Sequence, residues 1–452
     1  MLSEIHTYLS EIHTYIPSLG EAFIAVCILV SSYLILFSEK LNRAVTAMMG
    51  ACLMVMLGIL TQQQAFHGID FNTIALLTGM MIIVGIAEKS GIFQYVAIWG
   101  AKKVNANPRA ILVVLALATA LFSALLDNVT TVLLIVPVTL QITRKLDIAP
   151  YPFIILEIFA SNIGGTATLI GDPPNILIGS ALELSFMDFV KELTPLVSIT
   201  MVALLLIFDL FFGRFMHASA EKKQNVMAMD EKSAITDKKL LKQSLTVITI
   251  TILGFIVAEH IDRQNGTIAL CGAILMLLLH TFGDERRIRE VKVEQALSAV
   301  DWTTIFFFIG LFVIVYGLEA TGILDYLGHL FVVLTEGSIQ KATFMVLWFS
   351  AFISAFIDNI PFVATMIPVI KSMEESLGGR EAMMPVWWSL SIGACFGGNG
   401  SLVAASANVI VAGLAQREGH PLHFGKFLLW SFPIMTLTII IATIYLYLYH
   451  YA

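Results

Sequence analysis

Charge is what this chain has least of: 13% of its 452 residues are Asp, Glu, Lys or Arg, against about a quarter in an ordinary soluble domain. Hydrophobic residues make up 58% and the mean hydropathy is +0.85, a composition no water-soluble core can absorb. Cysteine is also scarce. Cys27, Cys52, Cys271 and Cys395 are scattered and form no thiol cluster, so each reads as a small apolar residue. No Gly-rich phosphate loop ending in Lys-Ser or Lys-Thr is present, which excludes a pump driven by its own ATP hydrolysis. The N-terminus lacks the basic start and continuous apolar stretch of a cleaved signal peptide.

What the chain does have is long apolar runs. Those near residues 20–38, 44–61, 72–88, 191–213, 243–261, 267–282, 302–319 and 427–449 reach or approach the roughly 20 residues a spanning helix needs. The net charge of -7 carries little meaning here, because in a membrane protein the placement of Lys and Arg outweighs their sum.

The second half repeats the first. Asp127-Asn128 recurs as Asp358-Asn359, an offset of 231 that also carries Asp70 to Asp301, Thr73 to Thr304, Gly79 to Gly310, Gly91 to Gly322, Ser123 to Ser354 and Pro137 to Pro368. After a two-residue insertion the offset becomes 233, and Gly164-Gly165 matches Gly397-Gly398, Thr168 matches Ser401 and Asn175 matches Asn408. A membrane chain of two similar halves, each interrupted at the same place by polar and Gly/Pro-rich residues, has the sequence form of a secondary transporter.

The basic residues give a topology. With five spans and one hairpin entering and leaving on one side in each half, the odd number of spans inverts the second half. An outside N-terminus then leaves only Lys191, Arg263, Lys341, Lys371 and Arg380 of the 26 Lys and Arg on the outer side, as the positive-inside rule asks. The expected fold is an all-α polytopic membrane protein of two inverted repeats of five transmembrane helices, each with a re-entrant hairpin and a broken helix. Residues 1–19 form an N-terminal interfacial segment, 20–213 the first repeat, 214–243 a polar cytoplasmic linker and 244–452 the second repeat. The doubled LSEIHTY of residues 2–15 reads as a short amphipathic interfacial helix rather than a functional pairing of His6 and His13.

Candidate site residues fall where the apolar runs are interrupted. FSALLDNVTTVLLIVP places Asp127, Asn128, Thr130 and Thr131 between two stretches too short to span alone. NIGGTATLIGDPPNILIG follows, and there Pro173 and Pro174 deny N–H partners to carbonyls one turn earlier, so the helix breaks and the backbone near 164–175 and 397–408 is non-helical. Such a break survives in a bilayer only when buried in protein or lining a wet cavity. Expected substrate ligands are Asn128, Thr130, Thr131, Gly165, Thr166, Thr168 and Asn175, with Asn359, Gly398, Asn399, Ser401 and Asn408 from the second half. A carboxylate within a span is costly and reads as functional, so Asp127, Asp172 and Asp358 are the candidates for proton coupling. Asp172 is preferred because its counterpart is Ala405, an acid the repeated scaffold does not require. No Lys or Arg lies in these segments, which argues against a multiply charged anion.

DNVTTVLLIVPVT, NIGGTATLIGDPPN and GGNGSLVAASANV resemble the ion transporter superfamily over essentially the whole chain, most of all the branch of the arsenite efflux permease ArsB and the P protein. NhaD sodium/proton antiporters and dicarboxylate/sodium symporters are related to it. The resemblance implies the inverted-repeat fold, a site made by hairpin tips and broken helices, and efflux of arsenite or antimonite in exchange for protons at the cell's inner membrane, both termini outside. These solutes are mainly uncharged trihydroxy species near neutral pH and need amide, hydroxyl and carboxylate partners. The dicarboxylate branch carries Ser-Asn-Thr where this chain has Asp127-Asn128-Val129-Thr130 and Thr166-Ala167-Thr168. NhaD-like Na+/H+ exchange, a dicarboxylate transporter and a passive anion channel of the same fold are the alternatives. An intramembrane aspartyl protease fits least, since its Gly-x-Gly-Asp element meets Leu169 in the first position. No cofactor, metal site or nucleic acid is expected. The partners are the solute, protons or Na+, and the bilayer, with a homodimer and a partner ATPase compatible with the resemblance.

Overall fold

The computed structural model describes residues 15, 16, 18–38 and 40–452, so the doubled heptapeptide with His6 and His13 lies outside the described residues. Among the described residues there is no strand, and 79% of them are helical. The first half runs α1 (Leu19–Ser38), α2 (Arg43–Met56), α3 (Gln62–His67), α4 (Phe71–Glu88), α5 (Ile92–Lys103), α6 (Pro108–Leu125), α7 (Asn128–Leu146), α8 (Tyr151–Thr166), α9 (Pro173–Ala181) and α10 (Phe186–Phe211). After the short α11 (Ala220–Met227) come α12 (Lys238–Val257), α13 (Asn265–Thr281), α14 (Arg286–Leu297), α15 (Trp302–Ala320), α16 (Ile323–Leu334), α17 (Ile339–Ser354), α18 (Asn359–Glu374), α19 (Met384–Gly397), α20 (Ser406–Arg417) and α21 (Phe424–His450). Eight of the helices are long and apolar enough to cross a membrane. They face outward with Leu, Ile, Val and Phe, as a lipid solvent requires.

The duplication is visible in pairs of contacts. Asp70 caps α4 by accepting from the Thr73 N–H at 3.2 Å, and Asp301 caps α15 by accepting from the Thr304 N–H at 3.1 Å. Gly79 lies on the backbone of Ala269, pinning α4 to α13, while Gly310 lies on the backbone of Ala47, pinning α15 to α2. The Ser123 hydroxyl donates to the Ser161 carbonyl at 2.6 Å, and its counterpart Ser354 donates to the Ala394 carbonyl at 2.7 Å. Each hairpin is thereby tied to the broken helix that follows it.

Polar contacts sort the connections onto two faces. The linker packs on the first half through Lys102, which donates to Glu231 at 2.5 Å and holds that carboxyl below its usual pKa, and through Thr236 N–H to the Ser90 carbonyl at 3.2 Å. Lys222 pairs with Asp147 at 3.4 Å, Arg109 with Asp209, and Arg144 with Glu418. The start of α6 and the end of α7 therefore share the linker face, and Asp127 between them is the tip of a hairpin. Its arms are longer than the sequence reading allowed: at 18 and 19 residues each is by length and composition able to span, so length alone does not separate a hairpin arm from a span. On the opposite face Asn72 donates to Ser180 at 2.7 Å, Asn265 to the Leu184 carbonyl at 3.3 Å, and Tyr445 to the Glu192 carbonyl at 3.1 Å.

Candidate functional site

Leu126 and Asp127 form the corner between α6 and α7. Asp127 caps α7: one carboxylate oxygen accepts from the Thr130 N–H at 2.7 Å and the other from the Thr130 hydroxyl at 2.5 Å. Asp358 caps α18, accepting from the Ile360 N–H at 3.0 Å and from the Ser406 hydroxyl at 3.4 Å. Both acids thus satisfy helix N-termini, a contribution of about 1 kcal/mol each.

The broken helices are present, with shorter breaks than expected. Helix persists through Thr166 and resumes at Pro173, leaving 167–172 open, and in the second half 398–405 are open. The two prolines occupy the first positions of α9, where a missing N–H has no consequence; they start a helix more than they end one. Asn175 closes the gap by donating to the carbonyls of Thr166 at 3.0 Å and Thr168 at 2.9 Å, and Asn408 does the same for Gly398 at 2.7 Å and Ser401 at 2.9 Å. The Asn175 side-chain oxygen also accepts from Ser391 at 2.6 Å. These amides are spent on the protein. Thr166 donates to the Asn162 carbonyl at 2.8 Å and Thr168 to the Ala124 carbonyl at 2.5 Å. Gly165 lies against Gly171, whose carbonyl would stand 2.6 Å from any added Cβ, so the open segment folds back on α8 only because both are glycine.

At the centre stands Asn162, a residue the sequence reading passed over inside its own motif. Its amide nitrogen donates to Asn399 at 3.0 Å and Asn408 at 3.1 Å, and its oxygen accepts from Asn128 at 3.3 Å. Asn128 also donates to Asp172 Oδ1 at 3.3 Å. All five residues are buried. Asp172 Oδ2, Thr131 Oγ1, Asn399 Nδ2 and Ser401 Oγ have no partner among the described residues, and buried polar atoms left so mark where a ligand, ion or water belongs.

A cavity of about 400 Å³ reaches this centre. Of the expected residues it is lined by Asp127, Asn128, Thr130, Asp172 and Asn359. Thr131, Gly165, Thr166, Thr168, Asn175, Gly398, Asn399, Ser401 and Asn408 are not on its lining, and Asp358 lines a neighbouring cavity of about 610 Å³ with Tyr33 and Phe356. Glu88, Ala299 and Asp301, at helix ends of the linker face, also line the first cavity, so it opens toward that face.

One expectation is overturned: a cation does enter the site. Arg43, at the start of α2, lines both cavities and donates to Ser406 at 3.1 Å, to Asp301 at 3.2 Å and to Thr304 at 2.5 Å, with its guanidinium 5.7 Å from the Phe307 ring centre. It was missed because it stands at the head of an apolar run, 363 residues from Ser406. The cavity nevertheless holds one guanidinium against the carboxyls of Glu88, Asp127, Asp172 and Asp301.

The citrate transporter family profile, CitMHS, matches residues 33–393. An uncharacterized transporter of Mycobacterium tuberculosis is 40% identical over 432 residues, 95% of this chain and 98% of its own length. The P protein of Homo sapiens is 32% identical over 513 residues, 95% of this chain but 60% of that longer protein. Among solved structures, the YdaH transporter of Alcanivorax borkumensis superposes with a TM-score of 0.58 at 16% identity, covering 83% of this chain and 84% of that one. MtrF of Neisseria gonorrhoeae, described with a class of antimetabolite efflux pumps, gives 0.58 at 11% identity over 88% and 84%. A helical membrane fold, an acid-and-amide cavity at broken helices and these matches agree: the chain is a multi-pass membrane transporter, not an enzyme, and belongs to the CitMHS citrate transporter family of the ion transporter superfamily.

Proposed function

We propose that the chain is a secondary active transporter that exchanges a small polar solute for protons, with the uncharged acids arsenite and antimonite as first candidates. The observation that carries this reading is Asp172: buried at the cavity's inner end, held by one amide, with its second oxygen unpartnered. A proton and a hydroxylated solute compete naturally for such an atom. Carboxyls outnumber the single guanidinium on the lining, which suits a neutral solute or a cation such as Na+ better than a multiply charged anion.

A second reading has its own support. Arg43 and the citrate-transporter family profile favour a carboxylate substrate. Counterflow in proteoliposomes, comparing arsenite, sodium and citrate with and without an imposed pH gradient, separates the readings. Arsenite uptake driven by the gradient and unchanged in its apparent KM by Arg43→Gln is the expected outcome. Citrate uptake whose KM rises about tenfold to a hundredfold in Arg43→Gln, the loss of a charge-assisted hydrogen bond, would replace the first reading by the second.

The linker face is assigned to the cytoplasm of the inner membrane and both termini to the outside, on the distribution of Lys and Arg. A cysteine introduced at the exposed Lys232 is expected to react with an impermeant maleimide in inside-out vesicles and to stay unlabelled in intact cells. Labelling from outside would reverse the orientation.

A further inference from the structure

The same half that carries the unmatched Asp172 carries a second unmatched acid. Glu157 lies in the middle of α8 and is fully buried. Six residues from the helix start and nine before its end, it sits roughly 9 Å in from the linker-face end and roughly 13 Å short of the break. The Thr139 hydroxyl on α7 donates to one of its oxygens at 2.5 Å, and the other has no partner. Neither cavity touches it.

Among the described residues no basic side chain lies within ion-pair distance of Glu157. Of the titratable groups on helices packed against α8, Arg109 pairs with Asp209 and Arg144 with Glu418. Lys145 and Arg417 lie in the last turns of α7 and α20, toward that same linker face. Asp188, Lys191 and Glu192 stand at the far end of α10, Asp127 is engaged with Thr130, and Cys395 donates to Asn175 at 3.7 Å. Taking an ionised carboxylate out of water without a cation is costly, and this acid has one hydrogen-bond partner to hold its charge among the described residues.

The fold itself does not need that acid. At the repeat offsets Glu157 corresponds to Leu390 and Thr139 to Ile370, both fully buried, so the other copy fills the equivalent positions with two aliphatic side chains. An acid and its hydroxyl partner retained on one side only, in line with the site along the same helix, have a duty beyond packing.

We infer that Glu157, held by Thr139, is a proton-binding site that loads and unloads during the transport cycle, on the linker side of Asp172. The inference rests on the proton-exchange reading, and its test separates the two. Infrared spectroscopy of the purified chain in lipid, titrated from about pH 5 to about pH 9, is expected to show a protonated-carboxyl band that is lost in Glu157→Gln and changes with pH. In proteoliposomes, Glu157→Gln and the double variant Glu157→Leu/Thr139→Ile, which installs the pair used by the other repeat, are expected to lower proton-driven accumulation at least about tenfold while counterflow without a pH gradient persists. A Glu157 band that is absent or insensitive to pH overturns the proposal. So does undiminished pH-driven transport by the double variant, which carries the aliphatic residues that the other repeat has at these positions. If no tested solute shows counterflow yet the band titrates, the proton site stands and the transport reading falls.

Discussion

Replacing Asp172 by Asn is expected to leave the chain inserted and folded and to lower proton-driven transport by about two orders of magnitude, the loss of a hydrogen bond to a charged group. The substitution keeps the size of the side chain and removes a charge from the bilayer interior, so folding gains if anything. What is lost is an acid at the cavity's end whose second oxygen meets no hydrogen-bond partner of good geometry among the described residues. A hydrogen bond to a charged group contributes about 1.5–3 kcal/mol, and removal of the exchangeable proton adds the coupling itself. Asp127→Asn and Asp358→Asn are expected to do less to coupling and little to stability, since both carboxylates cap helices and Asn caps nearly as well. Transport by Asp172→Asn with the wild-type response to an imposed pH gradient would remove this residue from the mechanism.

Gly164→Val is expected to be strongly destabilising. A Cβ at Gly164 would stand 2.4 Å from the carbonyl oxygen and 2.5 Å from the Cα of Ala120, both backbone atoms that cannot rotate away. Overpacking of this kind costs about 1–3 kcal/mol when side chains can yield, and more when they cannot. Gly413→Val is the control, because nothing lies within 4 Å of a Cβ there. In detergent, the Gly164 variant should lose its monodisperse peak or melt well below the Gly413 variant. Equal thermal stability of the two would show that α6 and α8 separate more readily than their contact suggests.

The parts of this molecule legible in the sequence are those that occur twice. The caps at Asp70 and Asp301 and the close-packed Gly79 and Gly310 announced themselves by pairing at a fixed offset, and each pair does the same work in the structure. Single features were harder. Asn175 and Asn408 have the residue type of a ligand, but their amides are consumed by carbonyls of the broken helices, and type alone does not distinguish a free amide from a used one. Arg43 reaches the cavity through tertiary packing that no local pattern encodes. Glu157 was legible by the criterion that selected Asp172, an acid within an apolar run, and was overlooked because no Gly or Pro interrupts the helix around it. The hairpin arms proved long because their ends, not their lengths, make them re-entrant.

The amide of Asn162 reaches from the first half of the chain to Asn399 and Asn408 in the second. In a site this deeply buried, breaking those bonds strands polar groups at about 1–3 kcal/mol each. Rocking one repeat against the other would have to break both at once. At the flanks Gly79 holds α4 to α13 and Gly310 holds α15 to α2, while Arg43 on α2 reaches Ser406 on α20. All of these contacts run between the two copies of the repeat. The halves that gene duplication made are therefore joined at their polar centre and interlocked at their flanks, and neither separates from the other without breaking both kinds of contact.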